Sequence, residues 1–240
     1  MSSLAILVAL KEELNAIRAA IPNPERHGVL IVRGGVGWNS ATQAVQALIA
    51  SPNPPRWICS TGFCGGLADN MAVGDVLLPN ALLGPSPGEA MDLLPPNMGA
   101  MHDALIGGDL RYQIGALVTS REAVISTVEK RRLGQTRDAL GVDMESFAVA
   151  RAINAQIKFF ALRVVSDAVQ DELPPEIGGF LNEDGGVRAG AVLKFAMQRP
   201  RNIKTLWELK GRSGKASHSL TLAWRALWPA IRETLDASSD

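Results

Sequence analysis

The sequence predicts an α/β layer fold with a largely central sheet. Two observations carry this. Apolar runs of strand length alternate with helix-like segments from residue 4 to about residue 197, the pattern of strands covered by helices. A chain of 240 residues is also long enough to bury a full core as one large domain.

The first strand is Leu4–Leu10, apolar and running directly into Lys11-Glu12-Glu13. It has no basic leader and is too short to span a membrane, so it reads as a buried strand. A helix over Glu12–Ala20 follows, then a strand at Val29–Val32. Gly34-Gly35-Val36-Gly37 leads into a helix at Ser40–Ala50, and Ser51-Pro52-Asn53-Pro54-Pro55 stops that helix. The next strand is Trp57–Thr61, and the glycine-rich segment after it, Thr61 to Leu67, reads either as a tight turn or as a loop whose backbone N–H groups approach a ligand. Asp75–Leu78 is a strand and Leu83–Gly99, with its Pro and Gly, a long loop of the kind that lines binding sites. Arg111–Val118 and Phe159–Val165 complete the strands. Glu122–Leu133, Glu145–Gln156 and Gly190–Met197 complete the helices. There is no internal repeat.

From about residue 200 the composition becomes basic and Trp-containing. We read residues 1–200 as one domain and 201–240 as a helical C-terminal extension, broken near Gly211–Gly214. Residues 198–225 hold seven basic side chains against the single Glu208, a local excess of six. In helical register Leu220, Trp224, Leu227 and Trp228 share a face. The favoured reading is an amphipathic helix packed on its own domain. The other is a helix resting peripherally on the inner face of an anionic membrane.

Several function classes are disfavoured. Lys+Arg and Asp+Glu both number 24, so no whole-protein field for nucleic acid exists. Cys59 and Cys64 have no CxxC partner or histidine at ligand spacing, so a zinc or other metal site is not expected. Without a disulfide framework or secretory signal, the expected compartment is the cytoplasm. His27, His102 and His218 have no triad companions, and G-x-S-x-G is absent. A dinucleotide-binding dehydrogenase would need G-x-G-x-x-G after the first strand, where Ala9-Leu10-Lys11-Glu12-Glu13-Leu14 stands instead. No organic cofactor is implied.

What remains is a set of carboxylates at strand ends. Gly141-Val142-Asp143-Met144-Glu145-Ser146 and Arg163-Val164-Val165-Ser166-Asp167 each deliver one. One carboxylate can grip a vicinal diol by accepting two hydrogen bonds. A second, buried and protonated, can give its proton to a leaving group. Glu12 or Glu13, after the first strand, is a candidate base.

Ala9 to Leu14, Thr61-Gly62-Phe63-Cys64-Gly65-Gly66-Leu67, Val73-Gly74-Asp75-Val76, Val142-Asp143-Met144-Glu145 and Val165-Ser166-Asp167, in this order, resemble the purine nucleoside phosphorylase superfamily. Within it they are most similar to the methylthioadenosine/S-adenosylhomocysteine nucleosidases. The resemblance implies a three-layer fold with a central mixed sheet, a homodimer, no metal, and cleavage of the N-glycosidic bond of an adenine nucleoside. It implies that Glu13 activates water, that Asp167 protonates N7 of the purine with Ser166 orienting it, and that Glu145 holds the ribose hydroxyls. Met144 then packs under the sugar, Phe63, Cys64 and Gly65 line the sugar and nucleophile side, and Val124 lies at the base.

Phosphorylases of the superfamily hold phosphate with arginines and a serine. Here Phe63 stands at the serine position and Ser60 at the arginine position, which favours water over phosphate; Arg33 could compensate. Asp171-Glu172-Leu173-Pro174-Pro175, Asp184-Gly185-Gly186, Gly190 to Leu193 and Arg199-Pro200 are similar to the hopanoid-associated phosphorylases, which implies adenosylhopane as a further possible substrate. A non-catalytic nucleoside-binding protein is the remaining alternative.

Overall fold

The computed structural model describes residues 3–93, 95, 98–108, 110–180, 188, 194–195 and 200–237. Eight strands among them form a mixed sheet: β1 (Leu4–Val8), β2 (Val29–Arg33), β3 (Trp57–Gly66), β4 (Val76–Leu83), β5 (Ala90–Asp92), β6 (Tyr112–Thr119), β7 (Ala139–Asp143) and β8 (Lys158–Asp167). The helices are α1 (Lys11–Ala20), α2 (Trp38–Ile49), α3 (Met98–Gly107), α4 (Thr127–Arg137), α5 (Ser146–Ala152) and α6 (Pro200–Ala237).

Strand β1 shows why the sheet is central. All five of its residues are buried, as expected of a parallel strand with helices over both faces. Leu4, Ile6 and Val8 point into a core shared with α1, α3 and α6, while Ala5 and Leu7 point into a second core shared with α2 and α5. The sheet is flanked by helices on both sides, as anticipated. Strands β1 and β2, β1 and β3, and β3 and β8 are parallel; β4 runs antiparallel to β8 and parallel to β6. Strand β6 is parallel to β7, and β7 returns to pair antiparallel with the end of β3 at Gly65 and Gly66. Strands β3, β8, β4, β6 and β7 thus close into a ring, and the ends of β3, β7 and β8 converge.

Several expectations need correction. The glycine-rich segment Thr61 to Leu67 is not a turn. Through Gly66 it is the second half of β3, hydrogen-bonded to β8 on one side and β7 on the other, with an irregularity between Cys64 and Gly65. Glycine weakens a strand locally, but pairing on both edges carries it through. Leu83–Gly99 contains strand β5, paired antiparallel with β4, and the start of α3. Helix α4 begins at Thr127, five residues later than expected. Ser126 caps it by accepting from the Glu129 N–H, so Ser126-x-x-Glu129 marks its start. Helix α5 ends at Ala152, where Ile153 turns extended. The expected helix Gly190–Met197 lies outside the described residues apart from Lys194 and Phe195.

The C-terminal segment has no break at Gly211–Gly214; α6 is one helix of 38 residues. Each glycine costs a helix about 1 kcal/mol against alanine, and tertiary packing offsets that. Ala216, Leu220, Ala223, Trp224, Leu227, Ile231 and Leu235 form its buried stripe in the same core as β1, α1 and β8. The face a membrane would need is therefore covered by protein. Trp224 is fully buried, and its indole N–H donates to Thr61 Oγ1 at 3.0 Å, tying α6 to β3 one residue before Gly62.

Replacing Trp224 by Ala should cost about 3–5 kcal/mol, the usual loss for a large buried aromatic. Trp224→Phe, which keeps most of the volume but loses the hydrogen bond, should cost nearer 1 kcal/mol. Urea unfolding of both variants checks this, and a near-neutral Trp224→Ala would contradict the packing described.

Candidate active site

The C-terminal ends of β1, β3, β7 and β8 surround a cavity of about 170 Å³. Crevices outside strand carboxyl ends are where α/β sheets bind ligands. Its lining includes Glu13, Phe63, Cys64, Gly65, Val124, Met144, Glu145, Ser166 and Asp167, so these nine come to one place, and of the two candidate bases it is Glu13, not Glu12, that lines it. Arg33 does not. It lines a separate groove between β2 and α2.

Glu13 sits in the first turn of α1 and is 3% exposed. Its Oε2 accepts from the Ala9 and Leu10 N–H groups, both at 2.8 Å, and its Oε1 accepts from the Phe63 N–H at 2.7 Å. A carboxylate has about four acceptor sites. Three are occupied by backbone, leaving one on Oε1. Burial pushes the Glu13 carboxyl above its ordinary value, against the opposing pull of Arg163 and these three N–H groups. A raised carboxylate with one free acceptor site suits a general base near neutral pH. Gly62 makes the seat possible, since a Cβ there would lie 2.3 Å from Glu13 Oε1.

Glu145 follows β7. Its Oε1 accepts from the Gly37 N–H at 2.7 Å and its Oε2 from the Met144 N–H at 3.3 Å. One acceptor site remains on each oxygen, the number a vicinal diol requires. Gly37, with φ of +88°, adopts a backbone conformation that favours glycine as its N–H meets this carboxylate. Burial and the neighbouring Asp143 push the Glu145 carboxyl up to about 7, with Arg163 and the Gly37 N–H opposing.

Asp167 ends β8 and is 7% exposed. Ser166 Oγ donates to its Oδ1 at 2.7 Å and also lies 3.2 Å from the Cys64 carbonyl. Burial was expected to govern this acid. The structure adds a charge: Lys130 of α4, fully buried, donates from Nζ to Asp167 Oδ2 at 2.5 Å. The Cys64 thiol beside it is itself pushed up by burial.

Beneath the three carboxylates lies a residue the sequence reading passed over. Arg163 is buried in β8 and donates to Asp143 Oδ2 from Nε at 2.9 Å and from Nη2 at 2.7 Å. Its Nη2 also lies within hydrogen-bond distance of Ser60 Oγ and Ser146 Oγ. Burial works against its charge, but Asp143, Glu145 and Glu13 outweigh it and hold the guanidinium protonated. The Ser146 N–H also donates to Asp143 Oδ2 and Thr119 Oγ1 to its Oδ1. Oδ2 thus takes three donors and anchors Arg163, while Oδ1 takes one. A signal existed: an arginine inside the apolar run 159–165 is anomalous in a buried strand. Lys130 had no such signal, since it sits in the charged string Glu129-Lys130-Arg131-Arg132.

The charged residues lining the cavity, Glu13, Glu122, Asp143, Glu145 and Asp167, are all acidic. A ligand carrying a phosphate would meet repulsion there. Leu10, Val36, Phe63, Met144 and Leu173 supply apolar surface. Among the described residues no cluster of His, Cys, Asp and Glu could hold a metal ion.

The family model of the phosphorylase superfamily matches residues 4–196. The 5'-methylthioadenosine/S-adenosylhomocysteine nucleosidase of Listeria welshimeri is 24% identical over 221 residues, covering 75% of this chain and 92% of that protein. Among solved structures, the nucleosidase of the same name from Helicobacter pylori, bound to butyl-thio-DADMe-Immucillin-A, superposes with a TM-score of 0.69 at 15% identity, covering 97% of this chain and 99% of that one. Futalosine hydrolase of Helicobacter pylori superposes with a TM-score of 0.68 at 13% identity, covering 96% and 97%. At such identities the likeness speaks for the fold.

Two predictions come from this geometry. Gly62→Ala should unseat Glu13 and lower kcat on a cleaved nucleoside at least tenfold, with folding intact by circular dichroism; full activity would show that the three N–H contacts are dispensable. The binding of a ribonucleoside should weaken as pH falls through about 7, because protonated Glu145 loses an acceptor that the diol needs. The dissociation constant measured calorimetrically from pH 8 to pH 5 checks this, and a 2'-deoxy analogue should show a shallower slope.

Proposed function

The chain belongs to the phosphorylase superfamily, and from that premise we propose that it hydrolyses the N-glycosidic bond of an adenine nucleoside. The observation that carries the choice of water is the seat of Glu13. The Ala9, Leu10 and Phe63 N–H groups converge on one point, a ready anion site, and the chain's own carboxylate fills it. Phosphate would have to displace that carboxylate and then face the remaining acids. Water needs only the free acceptor on Glu13 Oε1.

In the proposed reaction, Glu145 accepts from the 2'- and 3'-hydroxyls and stabilises the cationic sugar as the bond lengthens. Asp167 gives a proton to N7, so adenine departs neutral; such general acid help is worth about 10²–10⁴-fold. Glu13 takes a proton from water as its oxygen bonds to C1'. Val124 and its neighbours face the base, and Met144 packs against the sugar. The acidic lining disfavours nucleotides, and the apolar residues suit an uncharged 5' substituent such as a methylthio group. A long lipid substituent, as in adenosylhopane, belongs to the same class of 5'-modified adenosines. The nucleosidase names of the Listeria relatives agree with this reading.

The test is base release from methylthioadenosine, S-adenosylhomocysteine, inosine and adenosylhopane, with and without phosphate. Adenine and free ribose products should form equally well without phosphate. Strict dependence on phosphate, yielding a ribose 1-phosphate, would replace hydrolysis by phosphorolysis. Asp167→Asn should lower kcat at least about 10²-fold with little change in nucleoside affinity. Retention of more than a tenth of kcat would remove Asp167 from the acid's role.

A further inference from the structure

Lys130 is a fully buried cation that the reaction as written does not use. Its ammonium has three protons and three acceptors: Asp167 Oδ2 at 2.5 Å, the Ala168 carbonyl at 3.2 Å and the Asp171 carbonyl at 2.7 Å. A neutral amine has only two N–H groups and would leave one acceptor unpaired. The surroundings therefore call for the charged form.

The other charges nearby are already matched. The Asp171 carboxylate accepts from the Ala168 N–H at 2.9 Å and pairs with Arg212 of α6 at 3.1 Å. Arg131, next to Lys130 on α4, pairs outward with Asp69 at 2.7 Å. From β8, Arg163 is paired with Asp143 of β7. From β3 the Cys64 thiol stays neutral, and Ser166 donates to the opposite oxygen of Asp167. Glu122, on the loop before α4, lines the same cavity. Asp167 is thus the one carboxylate in contact with the Lys130 charge among the described residues.

We propose that Lys130 is a positioning residue for Asp167 that sets the alkaline limit of its action as an acid. This rests on the hydrolase reading above. Lys130 holds Oδ2 and Ser166 holds Oδ1, which fixes the carboxyl plane and leaves one acceptor site on each oxygen. When Asp167 gives its proton to N7, the O–H bond breaks, the N7–H bond forms, and negative charge stays on Asp167 beside the buried ammonium. Low dielectric strengthens that attraction. The same attraction favours loss of the proton to solvent as pH rises. A bound purine, offering its N7 lone pair, pulls the other way. The balance of the two places the upper edge of the pH profile.

The experiment compares wild type, Lys130→Met and Lys130→Arg on methylthioadenosine from pH 5 to pH 10. With the charge removed, the alkaline limb of kcat/KM should move up by at least about one pH unit, the usual reach of an opposite charge at contact. KM should stay within about threefold while kcat falls. Lys130→Arg, which keeps the charge, should leave the limb near that of wild type. A folded Lys130→Met whose limb does not move would overturn the proposal; a merely structural lysine predicts that result. Should Lys130→Met fail to fold, carbon-13 NMR of aspartate carboxyls in the wild type decides, with Asp167→Asn assigning the resonance. The proposal expects a carboxylate at pH 7 in the unliganded protein, and a protonated carboxyl there would overturn it. Absence of nucleoside cleavage by the wild type at every pH would sink the hydrolase reading instead, and the NMR result would still judge Lys130.

Discussion

The site rests on holding several carboxylates together out of water. Glu13, Asp143, Glu145 and Asp167 line one small cavity, and like charges so placed repel strongly in low dielectric. Two buried cations answer this. Arg163 stands among Asp143, Glu145 and Glu13, and Lys130 stands against Asp167. Backbone N–H groups do the rest, from Ala9, Leu10 and Phe63 on Glu13 and from Gly37 on Glu145. The outcome is graded. Asp143 Oδ2 is taken by Arg163 and the Ser146 N–H, Glu145 keeps an acceptor site on each oxygen, and Glu13 keeps one on Oε1.

Topology makes that convergence possible. The ring closed by β3, β8, β4, β6 and β7 brings together chain ends far apart in sequence. Strand β3 matters most, because it pairs with β8 along its length and with β7 only at its last residues. Its glycines are functional in that setting. Gly62 gives way to the Glu13 carboxylate, and Gly65 lies where a Cβ would be 3.1 Å from Asp167 Oδ2. A Cβ at position 62 would displace the Glu13 carboxylate, and one at 65 would press on Asp167 by a few tenths of an ångström.

Much of this was legible in the sequence, and the reasons differ by residue. Asp167 closes the apolar strand β8 and Glu13 follows β1 by a few residues, so those strands located them, whereas Glu145 was located by the motif Val142-Asp143-Met144-Glu145. The strands themselves were found because burial on both faces makes them continuously apolar, as in β1 and β8. Strand β7 was missed because Ala139–Asp143 is short and its partners, β6 and β3, are distant in sequence. The extent of β3 was missed because three glycines between 62 and 66 and their Phe-Cys interruption imitate a turn; only long-range pairing makes them a strand. Lys130 was illegible in principle. Its neighbours Arg131 and Arg132 have the same chemistry, and only the three-dimensional position of α4 decides which of them meets Asp167.

The C-terminal helix joins these threads. Its apolar face packs on its own domain, the favoured of the two readings of its sequence, with the stripe in the core and Trp224 fully buried there. It reaches the site from two sides. Trp224 Nε1 binds Thr61 Oγ1 next to the glycines that admit Glu13. Arg212 binds Asp171, whose backbone carbonyl holds Lys130. One long element thus contacts both the Glu13 side and the Asp167 side of the cavity. Part of its positive charge is spent inside the molecule: Arg212 is paired, and Arg225 donates to the Ala19 carbonyl at 3.1 Å. Because α6 runs unbroken across Gly214, Arg212 and Trp224 belong to one helix and their two contacts are made by a single element.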